Sequence, residues 1–151
     1  MHKKLDIDGV FNPKRPKLGN FVAVPVFRVL RHIALEDIIG QGGSGIVYRA
    51  GKQIGLSLDF ENVDDFLDWV EKAGIGIPEL EKSSNPIVAR IYECVTCSGI
   101  PNIGRPVCHF EGGLIAGFLE RLLNKKLVAK EVKCWGLGYE VCEFEVREVK
   151  L

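Results

Sequence analysis

Apolar residues recur along the chain with two periods, and their alternation outlines the secondary structure. From residue 25, Val26, Val29, Leu30 and Ile33 and then residues 35–39 repeat at helical spacing up to Gly40, and Pro25 suits the first turn of such a helix. Ile46, Val47, Ala50, Ile54 and Leu58 mark a second helix. A third, over residues 64–73, places Phe66, Leu67, Trp69 and Val70 on its apolar side, with Asn62 or Asp64 as cap and Gly74 as stop. Residues 109–123 read as a helix that buries one face, formed by Phe110, Leu114, Ile115, Phe118 and Leu122. The strand period appears at residues 20–24, 79–82, 87–95, 127–135 and 141–149, with Pro86 marking a strand edge or start. In the last of these, Cys142, Phe144 and Val146 alternate with Glu143, Glu145 and Arg147, so that strand is half-buried.

Composition narrows the class of protein. The chain has 151 residues, 46% of them hydrophobic and 26% charged, which is the make-up of one ordinary globular domain and excludes bulk disorder. Twenty basic and twenty acidic side chains cancel, so no basic excess points to nucleic acid or an anionic membrane. Pro25 and Arg28 break the one long apolar run, and no membrane span is expected. Asp6 and Asp8 stand where a signal peptide needs its apolar stretch, so a cytoplasmic protein is expected. Pro13, Lys14, Arg15, Pro16, Lys17 and Gly19 interrupt all periodicity, which divides the chain into an arm over residues 1–19 and a domain over residues 20–151.

The cysteines carry the candidate chemistry. There are five, all from Cys94 onward, and an odd number in a reducing compartment favours metal or redox chemistry over disulfides. A hairpin centred near Gly138 sets Cys134 opposite Cys142, with Cβ atoms roughly 4.5–5.5 Å apart. Cys108 precedes a helix, where free backbone N–H groups and the helix dipole favour a thiolate. Three thiolates and one further ligand make a closed tetrahedral zinc site. Glu131 is the preferred fourth ligand, with His109 and Cys97 as rivals. In a regular strand Glu131 and Cys134 face opposite sides, so sharing one ion requires a bulge or bend. Cys94 and Cys97 form a C-x-x-C pair whose thiols diverge if the segment is extended, which argues against a thioredoxin-like role.

Two glycine-rich stretches invite function. Gly112, Gly113, Ala116 and Gly117 are costly in a helix unless something approaches closely. That neighbour is either packed protein or a ligand in an apolar pocket bounded by Gly112, Ala116 and the strand residue Ala129. Residues 40–47 fit the G-x-G-x-x-G-x-V loop of a protein kinase, but the V-A-I-K, H-R-D and D-F-G segments are missing, and Asp59-Phe60-Glu61 lacks the glycine. A helix precedes the loop where a dinucleotide fold needs a strand. The run therefore reads as a turn joining two helices.

Residues 107–146, V-C-H-F-E-G-G-L-I-A-G-F-L-E through K-E-V-K-C-W-G-L-G-Y-E-V-C-E-F-E-V, resemble the 4-vinyl reductase domain. Residues 35–55, with their glycine turn, are similar to its amino-terminal half, so the resemblance covers about residues 20–149. It implies a single α+β domain of helices packed on an antiparallel sheet, the fold of Golgi transport-particle subunits and haem nitric-oxide sensors, commonly dimeric. In aromatic-responsive activators of that family, zinc is held by three cysteines and a glutamate. Cys108, Glu131, Cys134 and Cys142 stand at the matching positions, which favours Glu131 over His109. The implied function is a zinc-stabilised binding or sensor domain for a small hydrophobic or aromatic molecule, acting as a homodimer. A reductase or tetrapyrrole-modifying enzyme, and a scaffold subunit, are the alternatives.

Overall fold

In a computed structural model, which describes residues 7–40 and 42–150, the two periods resolve into helices stacked on one sheet. A one-turn helix α1 (Ile7–Phe11) lies in the arm, its Phe11 ring 6.2 Å from that of Trp69. Helix α2 (Val24–Arg28) has Pro25 in its first turn and runs directly into a π-helix (Val29–Ile38). Then follow α3 (Gly43–Ser57) and α4 (Val63–Lys72), the latter capped by the Asn62 side chain, which accepts from the Asp65 amide at 2.9 Å. Strands β1 (Ile77–Glu81) and β2 (Ile87–Tyr92), helix α5 (His109–Leu123), strand β3 (Leu127–Lys133) and strand β4 (Cys142–Glu148) complete the order.

The four strands form one antiparallel sheet in the order β1-β2-β4-β3. Its inner face presents Ala89, Ile91, Ala129, Phe144 and Val146 to α5 and α4, where Phe66 stacks on Phe118 with ring centroids 4.0 Å apart. No helix among the described residues is long and apolar enough to cross a membrane.

Three expectations are corrected. Residues 20–24 form no strand; the segment meets no partner strand, and α2 begins at Val24. The strand expected over 87–95 ends at Tyr92, because Glu93 takes a left-handed conformation (φ 50°) and the chain enters a turn. Helix α5 has no solvent face over most of its length: every residue from Glu111 to Glu120 is buried. The sheet covers one side and α3 the other. The glycines explain the second contact. A methyl group at Gly113 or Gly117 would strike the backbone carbonyls of Tyr48 or Lys52, and one at Gly51 or Gly55 would strike those of Phe110 or Leu114. On the sheet side, a methyl at Gly112 would come within 3.2 Å of the Phe144 ring. The residues of the glycine run at 40–47 that the structure describes lie between two helices, with Gly40 in the left-handed region (φ 82°).

The π-helix is built inside out. Arg28, Arg31 and His32 share a face at i, i+3 and i+4 and turn inward. Arg28 donates to the Val95 carbonyl at 2.8 Å and the Ser98 carbonyl at 2.9 Å, and His32 Nε2 lies 2.7 Å from the Thr96 carbonyl. Buried Arg31 donates to the Val107 carbonyl at 2.6 Å and to Glu36 at 2.7 Å. Val26, Val29, Leu30 and Ile33 are left facing outward, about half exposed each.

Candidate metal centre

Four segments converge at one end of the sheet and bring all five cysteines together. Each is free of disulfide bonds, and none exposes more than 1% of its surface. Cys134 and Cys142 close the β3–β4 hairpin, whose register sets Lys133 opposite Glu143. The connection includes a 3-10 turn (Trp135–Leu137) ending at left-handed Gly138. Cys108 occupies the position before α5, and its Sγ lies 3.9 Å from that of Cys134 and 3.5 Å from that of Cys142.

Glu131 reaches these thiols because strand β3 is irregular. The register pairs Glu131 with Phe144, then shifts before Lys133 pairs with Glu143. That one-residue bulge overturns the usual rule that residues three apart face opposite sides. Consequently one donor atom from each of Cys108, Glu131, Cys134 and Cys142 lies within 4.8 Å of all the others. Glu131 Oε2 accepts from the Cys108 amide at 3.0 Å, while Oε1 is buried and has no hydrogen-bond partner. A buried carboxylate oxygen without a donor is costly, and a cation is the partner it lacks. Burial pushes the Glu131 carboxyl up to about 10, and the neighbouring Cys134 charge pushes the same way. The Cys134 thiol is shifted down, foremost by a hydrogen bond from Cys108, and Cys108 is shifted up by donating it. The helix-start argument places the thiolate on Cys108. In the structure the proton stays there because Cys134 is the better-supported anion.

His109, the histidine rival for the fourth position, lies outside the cluster and lines a cavity with Glu36, Ser44 and Arg105. Cys97 is inside it: its Sγ is 3.1 Å from that of Cys142. Cys94, which sequence reasoning leaves out of the site, is there too, its Sγ 3.7 Å from that of Cys108. Both sit on the turn after β2, so their thiols converge rather than diverge. The C-x-x-C spacing is the signal that could find them, and the early end of β2 conceals it. Glu111, part of the C-H-F-E stretch, has no role in the sequence reading. It is fully buried, bonded through Oε1 to the Thr96 hydroxyl and 3.9 Å from Cys94 Sγ, with Oε2 unpartnered. Gly112, Ala116 and Ala129 lie in the core between α5 and the sheet, where Phe144 occupies the room beside Gly112.

Helices on an antiparallel sheet, with a buried cage of thiols and a carboxylate at the sheet's end, define an α+β domain of the ligand-binding and transport-particle type, here with donors suited to a soft divalent metal. The chain belongs to the vinyl-4-reductase family, whose domain model matches residues 87–148. An uncharacterized protein of Methanocaldococcus jannaschii is 42% identical over 133 residues, covering 88% of this chain and 82% of the relative. A second uncharacterized protein of that organism is 39% identical over 158 residues, covering 97% and 90%. Among solved structures, a vinyl-4-reductase family protein of M. jannaschii superposes with a TM-score of 0.69 at 21% identity, over 89% of this chain and 86% of that one. The phenol-responsive sensory domain of the transcription activator PoxR, solved with phenol, gives 0.64 at 15% identity, over 84% and 75%. Subunit 3 of a trafficking protein particle complex from Naegleria fowleri, covalently bound to palmitic acid, gives 0.58 at 12% identity, over 84% and 95%. At these identities the likeness is one of fold.

Proposed function

We propose that this protein is a cytoplasmic, homodimeric binding or sensor domain for a small hydrophobic or aromatic molecule, stabilised by zinc held by Cys108, Glu131, Cys134 and Cys142. The observation that carries the zinc reading is the convergence of those four donors within 4.8 Å, with a buried Glu131 oxygen left for a cation. Three thiolates and one carboxylate suit zinc, and four protein ligands leave no open position, so the ion is structural. Because its ligands must lose protons, zinc affinity rises with pH.

The ligand reading moves from the middle of α5 to its first turn. Phe21, Val24, Phe27, Ile75 and Phe110 line a cavity of about 370 Å³ with Glu111 among its walls. That volume and apolar lining suit a small aromatic molecule, and the carboxyl offers it one polar anchor. The phenol bound by the PoxR sensory domain supports this class of ligand. A scaffold role is the second reading, favoured by the apolar outer face of the π-helix.

Elemental analysis of zinc-replete protein tests the metal, and the expected result is tightly held zinc. Cys134→Ser should lose it and a substantial part of the stability. No zinc, with Cys134→Ser as stable as the parent, refutes the reading. For the ligand, phenol titration followed by protein fluorescence should saturate in the parent and weaken at least tenfold in Phe110→Ala. Equal response in both rejects the cavity.

A further inference from the structure

The cage holds more donors than one ion uses. A second group of four, Cys94, Cys97, Cys108 and Cys142, also lies within 4.8 Å, and it shares two thiols with the first. We propose that these four cysteines hold a second zinc ion, joined to the first through bridging Cys108 and Cys142 thiolates. The inference rests on the zinc reading of the first site.

Geometry supports it. Zinc–sulfur bonds of about 2.3 Å set thiolates on one ion roughly 3.8 Å apart. The Sγ separations are 3.7 Å for Cys94–Cys108, 3.5 Å for Cys108–Cys142 and 3.1 Å for Cys97–Cys142. An iron–sulfur cluster interposes inorganic sulfide between its irons and spreads its cysteines wider than this. The turn that carries Cys94 and Cys97 is also held in place, since Arg28 and His32 bind the carbonyls of Val95, Thr96 and Ser98.

Charge supports it as well. One zinc with three thiolates and Glu131 has a net charge of +2 − 4 = −2. A second zinc enters as two protons leave, one each from Cys94 and Cys97, and the sum becomes +4 − 6 = −2. The second ion therefore adds no net charge to a buried site, where net charge is costly. Without it, Cys94 and Cys97 remain thiols donating S–H bonds to zinc-bound sulfurs.

Zinc counting on full-length, reduced protein by native mass spectrometry separates the two arrangements. The expected result is two zinc ions per chain, falling to one in Cys97→Ser and in Cys94→Ser/Cys97→Ser. One ion in the parent at saturating zinc overturns the proposal and leaves the first site standing; none overturns both. Should the variants fail to fold, cobalt(II) titration of the parent decides. Bridging thiolates couple two cobalt ions, so the paramagnetic resonance signal should rise with the first equivalent and fall with the second. Saturation at one equivalent, or a signal additive through two, refutes the bridged pair, as does purification with iron and acid-labile sulfide.

Discussion

Glu120 stands in the last turn of α5 and ties three elements with one carboxylate. It accepts from the Leu127 amide at 2.9 Å and pairs with Lys52 at 2.9 Å and Lys126 at 3.0 Å. Burial alone would raise its pKa, but the amide and the two ammonium groups outweigh it and hold the carboxyl at about 2. A depressed folded-state value contributes stability above the unfolded pKa near 4.5, and that stability is lost as pH falls from there towards 2. Glu120→Gln should therefore lose roughly 2 kcal/mol at pH 7 and show a shallower acid limb between pH 5 and 2. Urea denaturation across that range is the measurement, and an unchanged acid limb contradicts the assignment. Glu131 and Glu111 are carboxyls of the opposite kind, buried with one oxygen unpartnered and their pKa raised.

Between elements, the α3–α5 seam is the most demanding contact. The glycines on both helices meet backbone, which cannot rotate aside as a side chain can. Gly113→Val should cost about 3 kcal/mol or more, at the upper end of overpacking penalties. Gly45, on the same helix α3 but exposed and with open space around it, is the contrast: Gly45→Ala should stabilise by up to about 1 kcal/mol. Chemical denaturation reads both, and equal effects would mean that the seam is loose. Helix positions are legible in the sequence because caps and periodicity act locally; the pattern places α5 at residues 109–123 and offers Asn62 as a cap, as the structure has them. The β3–β4 hairpin and its cysteine pairing are legible from turn symmetry. The end of β2 is not, since a single left-handed residue, Glu93, decides it, and no local rule marks a glutamate for that conformation. The places of Cys94 and Cys97 are hidden by that one residue. The seam is half legible: four small residues announce a close neighbour without saying that α3 is it.

For the molecule as a whole, the π-helix leaves an apolar outer face in need of cover. Val26, Val29, Leu30 and Ile33 are exposed together, and Phe21 and Val22 beside them add to the patch. A homodimer through this face should give a concentration-dependent mass in solution scattering, and Leu30→Glu should yield a monomer with its zinc content intact. A concentration-independent monomer in the parent argues against it. The inward side of the same helix grips the turn bearing Cys94 and Cys97 and the backbone just before Cys108. One helix thus faces the association surface with one side and the thiol cage with the other. Linkage makes any coupling between them reciprocal: if metal occupancy strengthens self-association by some factor, self-association strengthens metal affinity by the same factor. Chelation would then dissociate the pair, and dilution would loosen the metal.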